Sequence, residues 1–147
     1  DDAENRSRRN NLIFYGVPDT NPSETFAQSE ETVTQLCSQH LNINIDTKEI
    51  ERAHRLGRHT AGRRRPMIVK FTYFNTKETI LSNGRKLKGT DHSVGKDFSK
   101  AVQNAHRHLV TLAKGKSARF SLHYKTLHIG TKRYIFDEPS QTVKEIA

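Results

Sequence analysis

This chain of 147 residues has no tryptophan, one cysteine and one methionine. The single thiol, Cys37, has no partner for an internal disulfide, and its place in an apolar helical spacing reads as a small buried residue, which fits a reducing compartment. No run of about 18 apolar residues could cross a membrane, and no charged-then-apolar leader would direct secretion. Asn5-Arg6-Ser7 matches a glycosylation acceptor, but without a leader it reads as chance. No serine or cysteine nucleophile stands at a spacing that suggests a neighbouring base, so no enzyme is expected. The eight histidines include His106, His108, His123 and His128. A separation of two puts His106 and His108 on different helix faces, and no cysteine or carboxylate cluster completes four ligands, so neither a metal nor any other cofactor is expected.

Positive charge is abundant: 25 Lys and Arg stand against 16 Asp and Glu, for a net charge of +9. Residues 1–47 carry 3 basic and 8 acidic side chains, whereas 48–83 carry 9 and 3, and 84–125 carry 10 and 2. An acidic beginning is thus followed by a basic middle of net +14. A merely soluble surface would intersperse both signs, so the pattern points to a polyanionic partner.

Two segments alternate as strands. If Leu12, Phe14, Met67, Val69 and Phe71 point into a core, the period of two turns Ile13, Tyr15, Pro66, Ile68 and Lys70 outward. Between them, Ser23 is positioned to cap a helix to about Leu41, on which Phe26, Glu30, Val33, Cys37 and Leu41 share one stripe. A strand of weaker alternation is expected over 48–56, with the faces of Arg52 and His54 left open. Residues 57–66 read as a loop holding Arg58, Arg63, Arg64 and Arg65 with no large apolar residue to anchor it. After a strand over 67–74, Asn75 and Glu78 form a variant capping box for a short helix ending near Gly84, and a fourth strand is expected near 92–96. The order is βαββαβ, an α+β ferredoxin-like arrangement with helices on one sheet face and the other face free.

A second, small α+β unit of helix, three short strands and helix should follow. Ser99 caps a helix over 100–114 with Val102, Ala105, Leu109 and Leu112 on its apolar face. Strands are expected over 119–124, 126–129 and 132–136, and Pro139 suits the first turn of a last helix through Ile146. The division is therefore a polar segment 1–10, a first domain 11–97 and a C-terminal domain 98–147. The Asp1-Asp2 start reads as the cut edge of something longer.

In this order the first domain resembles an RNA-recognition motif. That fold stacks bases of single-stranded RNA on aromatic side chains of its two central strands. Here Arg64, Val69 and Phe71 keep basic, aliphatic and aromatic positions of the usual octamer, but both of its stacking rings are gone. Tyr15 is the one ring left on the outward face, so binding is expected chiefly through charge. The whole succession resembles the first-open-reading-frame proteins of LINE-type, non-LTR retrotransposons. The matching segments are NLIFYGVPD (11–19), EIERAHRLG (49–57), RRRPMIVKF (63–71), KDFSKAVQNAHRHL (96–109), ARFSLHYKTLHIG (118–130) and KRYIFDE (132–138).

That resemblance implies a cytoplasmic ribonucleoprotein, nuclear access left open, in which the protein coats its transcript and acts as a nucleic-acid chaperone. Partners would be single-stranded RNA, or single-stranded DNA, and two further copies in a trimer joined by a coiled coil N-terminal to this chain, with the polar segment 1–10 as the exit from it. The resemblance further places Asn11, Arg52, Arg63, Arg64, Arg65, Arg85, Arg119, Lys125 and Tyr134 where the family contacts or stabilises RNA, with Tyr15 and Lys70 added from strand alternation. Tyr134 reads equally as a core tyrosine. Better-known members carry a basic residue at the position of Ile13. Two other function classes stand beside this one. Exposed Ile13 and Ile68 would suit a protein-interaction module, whereas an acylphosphatase-like hydrolase would need an arginine or glycine run in the loop after the first strand, which instead contains Asp19.

Overall fold

A computed structural model describes residues 8–146 of the chain, an α+β protein with three α-helices and two antiparallel four-stranded sheets among those residues. The chain divides into two compact units, 1–97 and 98–147. Most of the polar segment 1–10, read as the exit of a coiled coil, lies outside the described residues. Its last three residues form a turn in which the Asn11 N–H donates to the Arg8 carbonyl at 3.0 Å.

The first unit holds β1 (Asn11–Tyr15), α1 (Phe26–Leu41), β2 (Ile50–Arg55), β3 (Met67–Phe71), α2 (Phe74–Ser82) and β4 (Ser93–Lys96). Its sheet has the order β2-β3-β1-β4 with every neighbouring pair antiparallel. Leu12, Phe14, Met67, Val69 and Phe71 are fully buried, as the alternation requires, and meet Val33, Leu36, Cys37 and Leu41 of α1 and Ile80 of α2 in one core. Each such apolar side chain contributes roughly 1.5–3 kcal/mol on burial. Both helices therefore cover the same face of the sheet.

Two local expectations are corrected, and one open point is decided. Thr25, not Ser23, caps α1: its hydroxyl accepts from the Gln28 N–H at 3.2 Å, and the Gln28 side chain accepts from the Thr25 N–H at 2.9 Å. A capping box needs Glu or Gln three residues on; Thr25 has Gln28, whereas Ser23 has Phe26. Asn75 and Glu78 form no cap on α2, which starts at Phe74 without a side-chain cap, while Glu78 pairs with Lys77 at 2.8 Å. In β2 the register slips between Ile50 and Arg52. The extra residue, Glu51, leaves the ladder as a bulge and weakens the alternation. Ala53 and Arg55 thereby turn inward, and Arg52 and His54 turn away from the core.

The second unit holds α3 (Lys100–Gly115), β5 (Ser121–His123), β6 (Thr126–Ile129), β7 (Lys132–Asp137) and β8 (Thr142–Ile146), with strands in the order β5-β6-β7-β8. Ser99 caps α3, its hydroxyl accepting from the Val102 N–H at 3.3 Å. Leu109 and Ala113 of α3 pack on Leu127 and Tyr134 of the sheet. The expected last helix is a strand instead: Thr142–Ile146 pairs with β7 through Phe136↔Val143 and Arg133↔Ile146. Five residues with Val143 and Ile146 as their apolar pair gain little as an isolated helix, but as a strand they complete the ladder of β7. Pro139 then falls in the connecting turn, which suits its missing N–H equally well.

Candidate nucleic-acid interface

The face of the first sheet turned away from α1 and α2 is built in rows by strand register. Asn11 lies opposite Lys70, and Lys70 opposite Arg52. In the next row Ile13 lies opposite Ile68, and Ile68 opposite His54. Asn11, Arg52, His54, Ile68 and Lys70 together line one shallow groove. Tyr15, 45 % exposed, stands beyond them, opposite Ser93. Burial, and then the Asp97 carboxylate, push its phenol pKa up. Ile13 is only 6 % exposed, so it is not the open apolar contact expected of it. It sits mid-strand between Ile68 and Gly95, at the centre of the sheet where side-chain access is least.

The charges on this face are arranged against their own repulsion. Arg52 and Lys70 are directly opposed, and like charges in that position destabilise a sheet by a few tenths of a kcal/mol or more. Glu51, thrown out by the bulge, comes to 3.8 Å from Lys70 Nζ across an exposed gap, and such a pair contributes little in water. Arg52 has no ion-pair partner among the described residues. At the end of the row the Asn11 amide donates to Asp97 at 2.9 Å, and Arg8 donates to the other oxygen of that carboxylate at 2.8 Å. The carboxylate is thereby occupied by protein donors.

The arginine loop divides. Arg63 is exposed and has no ion-pair partner among the described residues; its backbone N–H donates to Thr60. Arg64 reaches back to donate to the Gly16 carbonyl at 2.7 Å and lies 3.7 Å from Asp91. Arg65 is structural. Its guanidinium grips both oxygens of Asp19 at 2.7 and 3.1 Å, and its backbone N–H adds a third bond at 3.0 Å. The Asp19 side chain is fully buried, and these bonds hold its pKa down at about 2 against the cost of burial. The loop is anchored after all, through a carboxylate rather than an apolar residue.

Arg55 escaped the sequence reading entirely and completes the same junction. Buried at the end of β2, it donates to Glu24 at 3.0 Å and to the carbonyls of Val17, Pro18 and Arg65 at 3.1, 2.5 and 2.9 Å. One guanidinium thus ties the loop after β1 to the loop before β3. Gly16 closes the arrangement. Its φ is +75°, its carbonyl accepts from Arg64 and lies 3.1 Å from His92 Nδ1, and a Cβ there would stand 1.8 Å from the Asp91 carbonyl oxygen. An...Arg...Asp... spacing in sequence carries no sign of such a junction; the one available signal was Asp19, an acid between two prolines.

The remaining expected residues are dispersed. Arg85 lies on the 3-10 turn Gly84–Leu87, whose Leu87 packs into the helix-covered core, so it does not join the open face. In the second unit, Arg119 lines a groove with Phe120, Ser121, His128 and Gly130. Lys125 sits in the β5–β6 turn with its Nζ 5.5 Å from the centre of the Tyr124 ring. Tyr134 is 6 % exposed and belongs to the core, with Lys116 Nζ 5.7 Å from its ring. Its ring is not accessible for base stacking, because an inward position on the central strand β7 buries it.

His123 and His128 meet edge to face at 5.0 Å, and His106 bonds the Tyr124 carbonyl. Among the described residues no three His, Cys, Asp or Glu side chains converge as a metal site would require, and no helix is long and apolar enough to cross a membrane. No protein-family model matches the chain, and no curated protein matches it.

Proposed function

We propose that this chain binds single-stranded nucleic acid, RNA in the first place, with low sequence selectivity, as the RNA-binding part of a LINE-type first-open-reading-frame protein. The observation that carries the reading is the Arg52–Lys70–Asn11 row on the open sheet face. A phosphate between two directly opposed cations turns their repulsion into two attractions, and a guanidinium fork with an ammonium contacts phosphate without reading bases. Strand order β2-β3-β1-β4 under a βαββαβ chain supports the RNA-recognition-motif topology, whose free face is the one these residues occupy. Tyr15 supplies the stacking ring on that face. Packaging of a transcript, chaperone activity and a trimer formed upstream belong to the same proposal, since linked copies raise the effective concentration of weak phosphate contacts.

The alternatives fare less well. Buried Ile13 removes half of the apolar patch that would favour a protein-interaction module. A hydrolase would need the loop after β1 as a phosphate cradle, but Asp19 fills it with a buried negative charge held by Arg55 and Arg65. The reading is tested by fluorescence anisotropy of a labelled 20-nucleotide single-stranded RNA titrated with the full chain at several salt concentrations. Log affinity should fall linearly with log salt, at about 0.7 per neutralised phosphate, and differ little between oligonucleotides of unlike sequence. Affinity insensitive to salt, or no binding at low salt, would overturn it.

A further inference from the structure

In the second unit the tip of the β5–β6 hairpin has a conformation that its residues do not favour. His123 pairs with Thr126, so the two strands are joined by Tyr124 and Lys125 alone. Two-residue hairpins of this kind demand a positive φ at the first position, which is why glycine, asparagine or aspartate normally stands there. Here Tyr124 takes φ = +52°, the one aromatic residue with a positive φ among the described residues. For a bulky side chain that is a strained outlier. Non-glycine residues persist in such positions where the surroundings hold them, and they concentrate at binding sites.

The surroundings do hold this one. His106 of α3 bonds the Tyr124 carbonyl, and Phe98 packs behind it, its ring 4.7 Å from the His106 ring and 6.4 Å from that of Tyr124. None of this support buries the tyrosine, which stays 51 % exposed. The Lys125 ammonium lies 5.5 Å from its ring centre. An aromatic ring presented at a tip, braced from behind and flanked by a cation, has the parts of a platform for one base of a single strand, the ring taking the base face and the cation the adjoining phosphate.

We infer that Tyr124 and Lys125 form a base-stacking subsite of the second unit, taking one unpaired nucleobase with its phosphate; this rests on the nucleic-acid reading proposed above. Tyr124 supplies stacking and Lys125 charge, so the two residues separate in their salt dependence.

The test uses the full chain with Tyr124→Phe, Tyr124→Leu and Tyr124→Gly, titrated with a single-stranded RNA and with an abasic ribose-phosphate chain of equal length. The Phe variant should bind RNA within about twofold of the parent. The Leu and Gly variants should lose about fivefold to a hundredfold, as expected for one lost stacking contact, with an unchanged salt slope and no loss on the abasic chain. Glycine relieves the positive φ, so the Gly variant should also melt at a higher temperature than the parent. That combination of higher stability and weaker RNA binding cannot come from misfolding. Equal RNA affinities of the Leu, Gly and parent chains would overturn the subsite and leave the parent reading standing. A parent chain that binds neither oligonucleotide would overturn that reading, and the subsite with it.

Discussion

Arg52 and Arg55 stand three residues apart on β2, and the bulge at Glu51 and the sheet face divide their work. Arg52 points into open solvent opposite Lys70, with no ion-pair partner among the described residues. Arg55 points inward and is spent on Glu24 and three backbone carbonyls beside Asp19. The same contrast divides Arg63 from Arg65 two positions away in the loop. A count of basic residues therefore overstates the phosphate-binding surface: part of the positive charge holds the loops, and only the part left facing water is free for a polyanion. The buried portion is also where stability is concentrated, because an ion left unpaired in the interior costs far more than one lost at the surface.

The contrast breaks most visibly at the junction. Replacing Gly16 by Ala forces a Cβ to within 1.8 Å of the Asp91 carbonyl at a φ of +75°, so the loops on either side must separate; urea unfolding should show the largest stability loss of any single substitution considered. Asp19→Ala should follow closely, at about 3–5 kcal/mol, because it leaves Arg65 without its carboxylate and takes a second one from beside Arg55, which keeps Glu24. A loss under about 1 kcal/mol would mean that the two arginines hold the loops without it.

Acid should act on the same carboxylate. Because the folded pKa of Asp19 is held at about 2, below its unfolded value near 4, its contribution is complete above about pH 4 and is lost as pH falls toward 2. Asp19→Asn should remove that part of the acid dependence, read from midpoints of urea unfolding between pH 5 and pH 2. Parallel curves for the variant and the parent chain would contradict the assignment.

Smaller effects sharpen the division inside the loop. Arg63→Ala should leave stability within about 0.5 kcal/mol and lower the RNA salt slope by about 0.7, whereas Arg65→Ala should lower stability before it changes the slope. The smallest effect concerns Cys37. Burial pushes its thiol pKa up to about 12, so a thiol reagent should label it only after denaturant is added; rapid labelling of the folded protein would place it elsewhere than the core.

Much of the first unit was legible because β1 and β3 alternate strictly: Leu12, Phe14, Met67, Val69 and Phe71 announce the core by period two, and their neighbours announce the open face. Where a single residue breaks the period, as Glu51 does, the faces of Arg52 and His54 could not be read. The C-terminal strand reads as a helix in sequence because Thr142–Ile146 has too few apolar residues to set a period, and the pairing with β7 that decides it is not local. The roles of Arg65 and Tyr134 were hidden for a different reason. Arginine and tyrosine serve equally as ligand contacts and as buried anchors, and only the carboxylate or the core they meet tells which.

The most direct test of the open face is the RNA salt titration of a chain carrying Arg52→Ala and Lys70→Ala together. The slope of log affinity against log salt should fall by about 1.4, two phosphates at about 0.7 each. Affinity should drop about tenfold or more at low salt, while thermal stability holds or rises slightly as the opposed charges disappear. A slope equal to that of the parent chain would show that phosphates bind elsewhere than on this face.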